Sequence, residues 1–295
     1  MLRLAVAQGH TVRALTRRPQ PEISGVQWVS GDLASPGALC VGADTVMHLA
    51  GTINAVDRAA FDAGNVAGTA GIVAAAQAAG ITRFIHVSSL AAREPALSDY
   101  GASKAAAEEV VRASGLDAAI IRPPGVYGSG DRETLPIFRL AARGWAIVPG
   151  GGLSSWIEAG DLAAVLLRVA ASNFNGLSEV DDGHGGYTHA EFAAAVGAAV
   201  GRRPRLIRPP PALLRFGATL DTAAARVTGR LPTLTHGRVA TFAHDDWVAR
   251  PVAALRGGQR DADATDDTSL RGVSVPLATG LRDTVAWYRS RGWLL

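Results

Sequence analysis

The chain has 295 residues, 48% of them apolar, with 29 Lys and Arg against 26 Asp and Glu for a net charge of +3 and a pI near 9.5. That size and apolar content suit one large domain, or a large one with a smaller lobe, and exclude a disordered chain. The single cysteine, Cys40, excludes an internal disulfide and fits a reducing, cytoplasmic setting. No apolar run is long enough to span a bilayer, residues 1–12 lack a secretory signal's apolar length and cleavage site, and the arginines are scattered apart from Arg17-Arg18 and 202–205, which argues against a nucleic-acid partner.

Residues 2–8 read as the end of a helix, with Gly9 just past it. Residues 11–16 alternate as a strand and stop at the turn Arg17-Arg18-Pro19. A second strand, 26–29, ends at Gly31-Asp32-Leu33, and a third, 44–49, runs into Ala50-Gly51. Residues 61–79 are predicted to be helical, closed by Gly80. Strand 83–87 delivers Ser88 and Ser89 at its carboxyl end. Asp99 is expected to cap a helix running to Ala113 that carries Tyr100 and Lys104. Strand 118–122 stops at Pro123-Pro124. Strands alternating with helices predict a parallel sheet covered on both faces, with ligands at the carboxyl ends of the strands, where Gly51, Ser89 and Pro123 fall.

Beyond Val126 the pattern changes. A helix is predicted over 135–143, a short strand over 146–148, and a return to the first domain over 156–171 with Asp161 as a cap. From Tyr187 a smaller helical lobe is expected, with helices over 191–200 and 213–228, a polar loop over 256–268 and an amphipathic helix over 281–293. The expected division is 1–175 and 176–295, with 126–152 contributing to the smaller lobe. His48, on an apolar strand, reads as a packing histidine; His184, His189, His236 and His244 lack metal-ligand spacing, so no metal is expected.

Lys104 is the only lysine; every other basic side chain is arginine. It follows Tyr100 by four residues, so on a helix the two share a face. A fixed ammonium beside a phenol favours the phenolate, and lysine is the compact point charge that this needs. Tyr-x-x-x-Lys by itself also describes an ordinary surface helix, and its neighbours in sequence decide between the two readings.

Those neighbours are Gly31-Asp32-Leu33, His48-Leu49-Ala50-Gly51, Asn65-Val66-Ala67-Gly68-Thr69, Val87-Ser88-Ser89, Arg122-Pro123-Pro124-Gly125-Val126-Tyr127-Gly128 and Gly160-Asp161-Leu162, with a last helix ending near Trp287-Tyr288 and Gly292-Trp293-Leu294. In this order, and over nearly the whole chain, they resemble the extended or atypical short-chain dehydrogenase/reductase superfamily, also called the NAD-dependent epimerase/dehydratase family. The resemblance implies a Rossmann-like doubly wound α/β fold with a smaller, mainly helical substrate lobe. It implies Tyr100 as general acid/base on a carbonyl or carbinol oxygen. Lys104 would lower the tyrosine's pKa and hold the nicotinamide ribose, and Ser89 (Ser88 if the register is shifted by one) would donate a hydrogen bond to the same oxygen. Asp32 and Leu33 would border the adenine, Leu49, Ala50 and Gly51 would let the cofactor approach, and Pro123 and Val126 would line the nicotinamide. Asn65 is expected to tie its helix to the neighbouring strand. Arg17 and Arg18, placed where NAD-preferring relatives carry an acid, favour NADP over NAD.

Three departures shape the expected function. Met1 falls inside the first helix, so the family's first strand and Gly-rich turn are expected upstream of it, and the chain as written is expected to hold a pyrophosphate poorly. No Asp-Glu pair follows Ser89, which disfavours a dehydratase. Pro123-Pro124 stands where sugar-nucleotide epimerases carry Phe-Asn, a form closer to reductases of apolar substrates and to relatives of a respiratory complex I accessory subunit. The expected function is an NAD(P)-dependent oxidoreductase on a small or apolar substrate; a nucleotide-sugar epimerase and a non-catalytic cofactor-binding assembly or sensor protein stay open. The alanine-rich helices around 61–79 and 100–113 suggest a homodimer, as relatives pair such helices.

Overall fold

The structure, a computed structural model, describes residues 1–250 and 274–295; the loop expected over 256–268 lies outside the described residues. The chain divides into two compact units, Met1–Arg122 with Ala163–Ser178, and Pro123–Leu162 with Glu179–Leu295. The second unit therefore takes in the whole of 123–162, a wider block than the 126–152 anticipated.

The first unit runs α1 (Leu2–Ala7), β1 (Val12–Thr16), β2 (Val26–Ser30), β3 (Thr45–His48), α2 (Arg58–Asp62), α3 (Gly68–Ala78), β4 (Arg83–Val87), α4 (Asp99–Arg112) and β5 (Asp117–Arg122). Its strands pair in parallel: β1 with β2, and β3 with β4 with β5, in a four-stranded sheet completed by the strand Gly176–Glu179 beside β5. β1–β2 and the four-stranded sheet are separate among the described residues. Every residue of β4 is buried, as a central strand covered on both faces must be. Ile72, Val73 and Ala76 of α3 and Val111 of α4 pack with Phe84 of β4 and Ile120 of β5 into one core.

Residues 61–78 are helical as expected, with Ala63–Ala67 winding as a π-turn between α2 and α3. Two glycines on this helix press on loops: a Cβ on Gly64 would stand 1.9 Å from Thr52 Oγ1, and one on Gly71 2.2 Å from the Leu33 carbonyl oxygen. The cap of α4 is Ser98, whose side chain accepts from the Gly101 amide at 3.1 Å; Asp99 sits in the first turn, where a carboxylate favours the helix dipole.

The remaining elements are β6 (Gly125–Tyr127), α5 (Leu135–Ala142), β7 (Trp145–Ile147), β8 (Leu153–Ser154), β9 (Trp156–Glu158), α6 (Ala159–Ala171), β10 (the Gly176–Glu179 strand), β11 (Tyr187–Thr188), α7 (His189–Val200), β12 (Arg205–Ile207), α8 (Pro211–Thr228), α9 (His236–Ala243), β13 (Asp246–Trp247) and α10 (Leu277–Ser290). Asp161 is not the cap of α6: the Glu158 carboxylate accepts from the Gly160 and Asp161 amides, while Asp161 accepts from the Val275 amide at 2.8 Å. The core of the second unit is aromatic. Tyr127, Phe138, Phe192, Leu281, Val285 and Tyr288 are buried together, and Trp156 stacks on Phe192 with centroids 3.8 Å apart.

Candidate active site

The site is built on the end of β4 and the first turns of α4. Ser98 starts α4, so Tyr100, Lys104 and Glu108 fall one turn apart on the face turned to the sheet. Ser89 lies two residues beyond β4; its hydroxyl accepts from the Ala91 amide at 3.2 Å, starting a 3₁₀ turn over Leu90–Arg93, and hydrogen-bonds the Tyr100 hydroxyl. Burial pushes the Tyr100 phenol up, and the Ser89 bond opposes that shift. Phe61 packs its ring 6.1 Å from that of Tyr100.

Lys104 is 4% exposed, and its ammonium donates to the Val87 carbonyl oxygen at 2.8 Å. Burial lowers its pKa from 10.5 to about 8, against the pull of the Glu108 carboxylate.

Ser88 serves a different neighbour. Its hydroxyl donates to Glu108 at 2.5 Å, and the same fully buried carboxylate takes two bonds from the Arg122 guanidinium, both at 2.7 Å, and one from Arg112 at 2.8 Å. This cluster joins the end of β4, α4 and the end of β5. It was missed from sequence, although two signals were present: Glu108 follows Lys104 at helical spacing, and Arg122 ends an otherwise apolar strand.

Asn65, in the π-turn, is buried and fully used. Its side chain accepts from the Thr52 amide at 2.6 Å and donates to the Thr52 carbonyl at 2.9 Å and to Ser103 Oγ at 2.8 Å. It thus ties the loop after β3 to the helix that carries Tyr100 and Lys104. Gly51 is glycine for the same reason: a Cβ there would stand 2.8 Å from Asn65 Oδ1 and 3.8 Å from Lys104 Nζ. His48 bonds Thr69 Oγ1 at 3.0 Å and stacks on His86, ring centroids 5.5 Å apart. Burial and the nearby Lys104 charge keep both neutral, His48 with a pKa of about 4.

The other expected residues sit as follows. Leu49, Ala50 and Gly51 form an exposed stretch directly after β3. Arg17 and Arg18 are exposed at the end of β1. Asp32 is exposed and accepts from the Ala34 and Ser35 amides at 3.0 and 2.8 Å, shaping its own turn, and Leu33 packs where a Cβ on Gly68 would meet it. Pro123 and Val126 belong to the second unit. Within the first unit, an exposed, side-chain-poor loop, a partly buried tyrosine bonded to serine and a lysine of lowered pKa lie at the carboxyl edge of a parallel sheet. These residues fit an NAD(P) cofactor.

Comparison with known proteins agrees. Residues 1–172 match the family model described as NAD(P)H-binding. The chain is 38% identical to "Ceramide reductase" of Caulobacter vibrioides, over 100% of this chain and 92% of that protein. It is 34% identical to "2-alkyl-3-oxoalkanoate reductase" of Stenotrophomonas maltophilia, over 47% of this chain and 49% of that one. The Bordetella bronchiseptica enzyme WbmH, solved in complex with NAD+, shares the fold at a TM-score of 0.71 and 18% identity, covering 98% of this chain and 93% of its own.

Proposed function

The chain belongs to the NAD(P)H-binding family, as a short-chain dehydrogenase/reductase-type enzyme, and from that premise we propose that it is a reductase that converts a ketone on a long-chain, ceramide-like lipid to an alcohol, with NADPH preferred. The observation that carries the reading is the Ser89–Tyr100 hydrogen bond with Lys104 one helical turn away. Support for the substrate class comes from the full-length likeness to a ceramide reductase, and from Pro123-Pro124 in place of a sugar-recognising pair.

When bound, the cofactor supplies the hydride. Ser89 and Tyr100 would together orient the substrate carbonyl oxygen, and Tyr100 would give its proton to that oxygen as negative charge develops on it. Burial favours the protonated phenol, which suits an acid. Lys104 would hold the ribose hydroxyls, and Asn65 and Glu108 would keep α4 and the loop after β3 in register with them. Arg17 and Arg18 would meet a 2′-phosphate. A homodimer through the alanine-rich α3 and α4 is part of the proposal, checked by light scattering at micromolar concentration.

The test is NADPH oxidation by the purified protein with ketone-bearing ceramides, matched against short aliphatic ketones and UDP-sugars. Turnover restricted to the lipid ketone, and lowered about 10²–10⁴-fold by Tyr100→Phe, is expected. Tight NADPH binding with no reduction of any ketone would favour a cofactor-binding protein without turnover, and interconversion of UDP-sugars would favour an epimerase.

A further inference from the structure

Helix α8 has two apolar faces. Ala218 and Ala225 are buried on one. On the opposite face Leu213, Phe216, Leu220 and Val227 recur at steps of three, four and seven residues, a single stripe, and they are 60%, 61%, 55% and 88% exposed. Surface helices of soluble proteins ordinarily place charge there. The strand pair β7–β12 ends four residues before α8 and also leaves Trp145, Ile147 and Ile207 exposed, with the Arg205 guanidinium over the Trp145 ring at 5.7 Å.

Charge is concentrated in the same stretch. Residues 202–230 hold seven arginines (202, 203, 205, 208, 215, 226 and 230) and one acid, Asp221, for a net +6. The whole chain is +3, so the rest is −3. Asp221 is itself occupied: it pairs with Arg230 and accepts from the Thr233 and Leu234 amides at 2.6 and 2.8 Å. Arg202, Arg203, Arg208, Arg215 and Arg226 are exposed and make no ion pair among the described residues.

We propose that α8 is a membrane-docking helix that lies on an anionic lipid surface, with Leu213, Phe216, Leu220 and Val227 in the acyl boundary and the surrounding arginines on lipid phosphates. An amphipathic helix with apolar residues on one side and arginine beside them is the pattern that binds in the interface plane. No helix among the described residues is long and apolar enough to cross a membrane. A second copy of the chain would fit the stripe by its spacing, but it would bring like-charged arginines face to face. A nucleic acid would fit the arginines and leave the apolar stripe in water. Only an anionic bilayer uses both features. The inference stands apart from the catalytic assignment, since it needs neither Tyr100 nor a cofactor.

The experiment is co-sedimentation of the protein with vesicles of phosphatidylcholine alone or with about one third phosphatidylglycerol. Binding is expected to the anionic vesicles and to weaken with salt. Phe216→Asp should lower it by about tenfold or more, and Arg208→Glu with Arg215→Glu by a similar factor. These side chains are exposed, so the variants should keep the parent's thermal midpoint; if one does not, the other carries the test. Tyr100→Phe should bind like the parent, so loss of reduction and loss of docking are told apart. Equal sedimentation with neutral and anionic vesicles, or binding unchanged in both stripe and arginine variants, overturns the proposal. So does a dimer in light scattering that Phe216→Asp dissolves without any vesicle binding, or duplex DNA binding in its place that Phe216→Asp leaves intact.

Discussion

A buried ammonium that donates to one backbone carbonyl is expensive to keep charged, and Lys104 is in that position at the end of β4. Its pKa of about 8 lies below the ordinary 10.5, so the unfolded chain binds more protons than the folded one between those values. Stability therefore rises with pH through that window, and the contribution is lost as pH falls through about 8. Compared with Lys104→Met, the parent should gain about 2 kcal/mol in urea unfolding between pH 7 and 10. A difference that stays constant with pH would mean that the lysine keeps an ordinary pKa in the fold. Tyr100 asks a different question. Tyr100→Phe keeps the ring against Phe61 and removes only the proton, so kcat should fall by about 10²–10⁴-fold while NADPH affinity holds. A variant with unchanged kcat would take the proton donor elsewhere.

At the level of elements, the site depends on two ties that hold α4 to the sheet. Glu108 is the first. Glu108→Gln removes the buried carboxylate that pairs with Arg122, 14% exposed at its side chain, and breaking such a pair should cost about 3–5 kcal/mol in denaturant. The more exposed Arg112 adds little to that. A loss under 1 kcal/mol would show that solvent already reaches the cluster. The second tie is Asn65 with Gly51. Gly51→Ala would force its Cβ against Asn65 Oδ1, which already holds the Thr52 amide, and should cost about 1–3 kcal/mol and weaken NADPH binding. An unchanged denaturation midpoint would mean that the loop gives way freely. These ties also mark the limit of what the chain discloses when read linearly. Strands β1 to β5 were legible because apolar runs and glycine turns are local signals, and Tyr100 with Lys104 because helical spacing is local. The π-turn was not, since it answers to Thr52 and Leu33, distant in sequence. Nor was Glu108, whose partners come from β4, α4 and β5, or the choice between Ser88 and Ser89, which rests on which way each hydroxyl turns.

At the scale of the whole molecule, the proposed docking helix and the proposed proton-donor residues fall in different units. The apolar, arginine-flanked α8 belongs to the second unit, while Ser89, Tyr100 and Lys104 belong to the first together with Arg17 and Arg18. Cofactor preference is thus a property the first unit can express, and it can be read as stability. A ligand that binds only the folded state stabilises it by RT ln(1 + [L]/Kd), about 2.7 kcal/mol at a hundredfold excess over Kd. For a chain of this length each kcal/mol raises the melting temperature by roughly 2–4 °C, so a saturating cofactor should raise it by roughly 5–10 °C. At equal concentration NADPH should shift the melting temperature more than NADH, because a guanidinium at the end of β1 can pair with the extra phosphate and not with a ribose hydroxyl alone. One charge-assisted bond contributes about 1.5–3 kcal/mol, so Arg17→Asp should narrow the gap by roughly tenfold or more in Kd, or reverse it, with the parent's fold intact because Arg17 is exposed. Equal shifts for the two cofactors, unmoved by Arg17→Asp, would assign Arg17 to solvent and leave the cofactor choice to another residue.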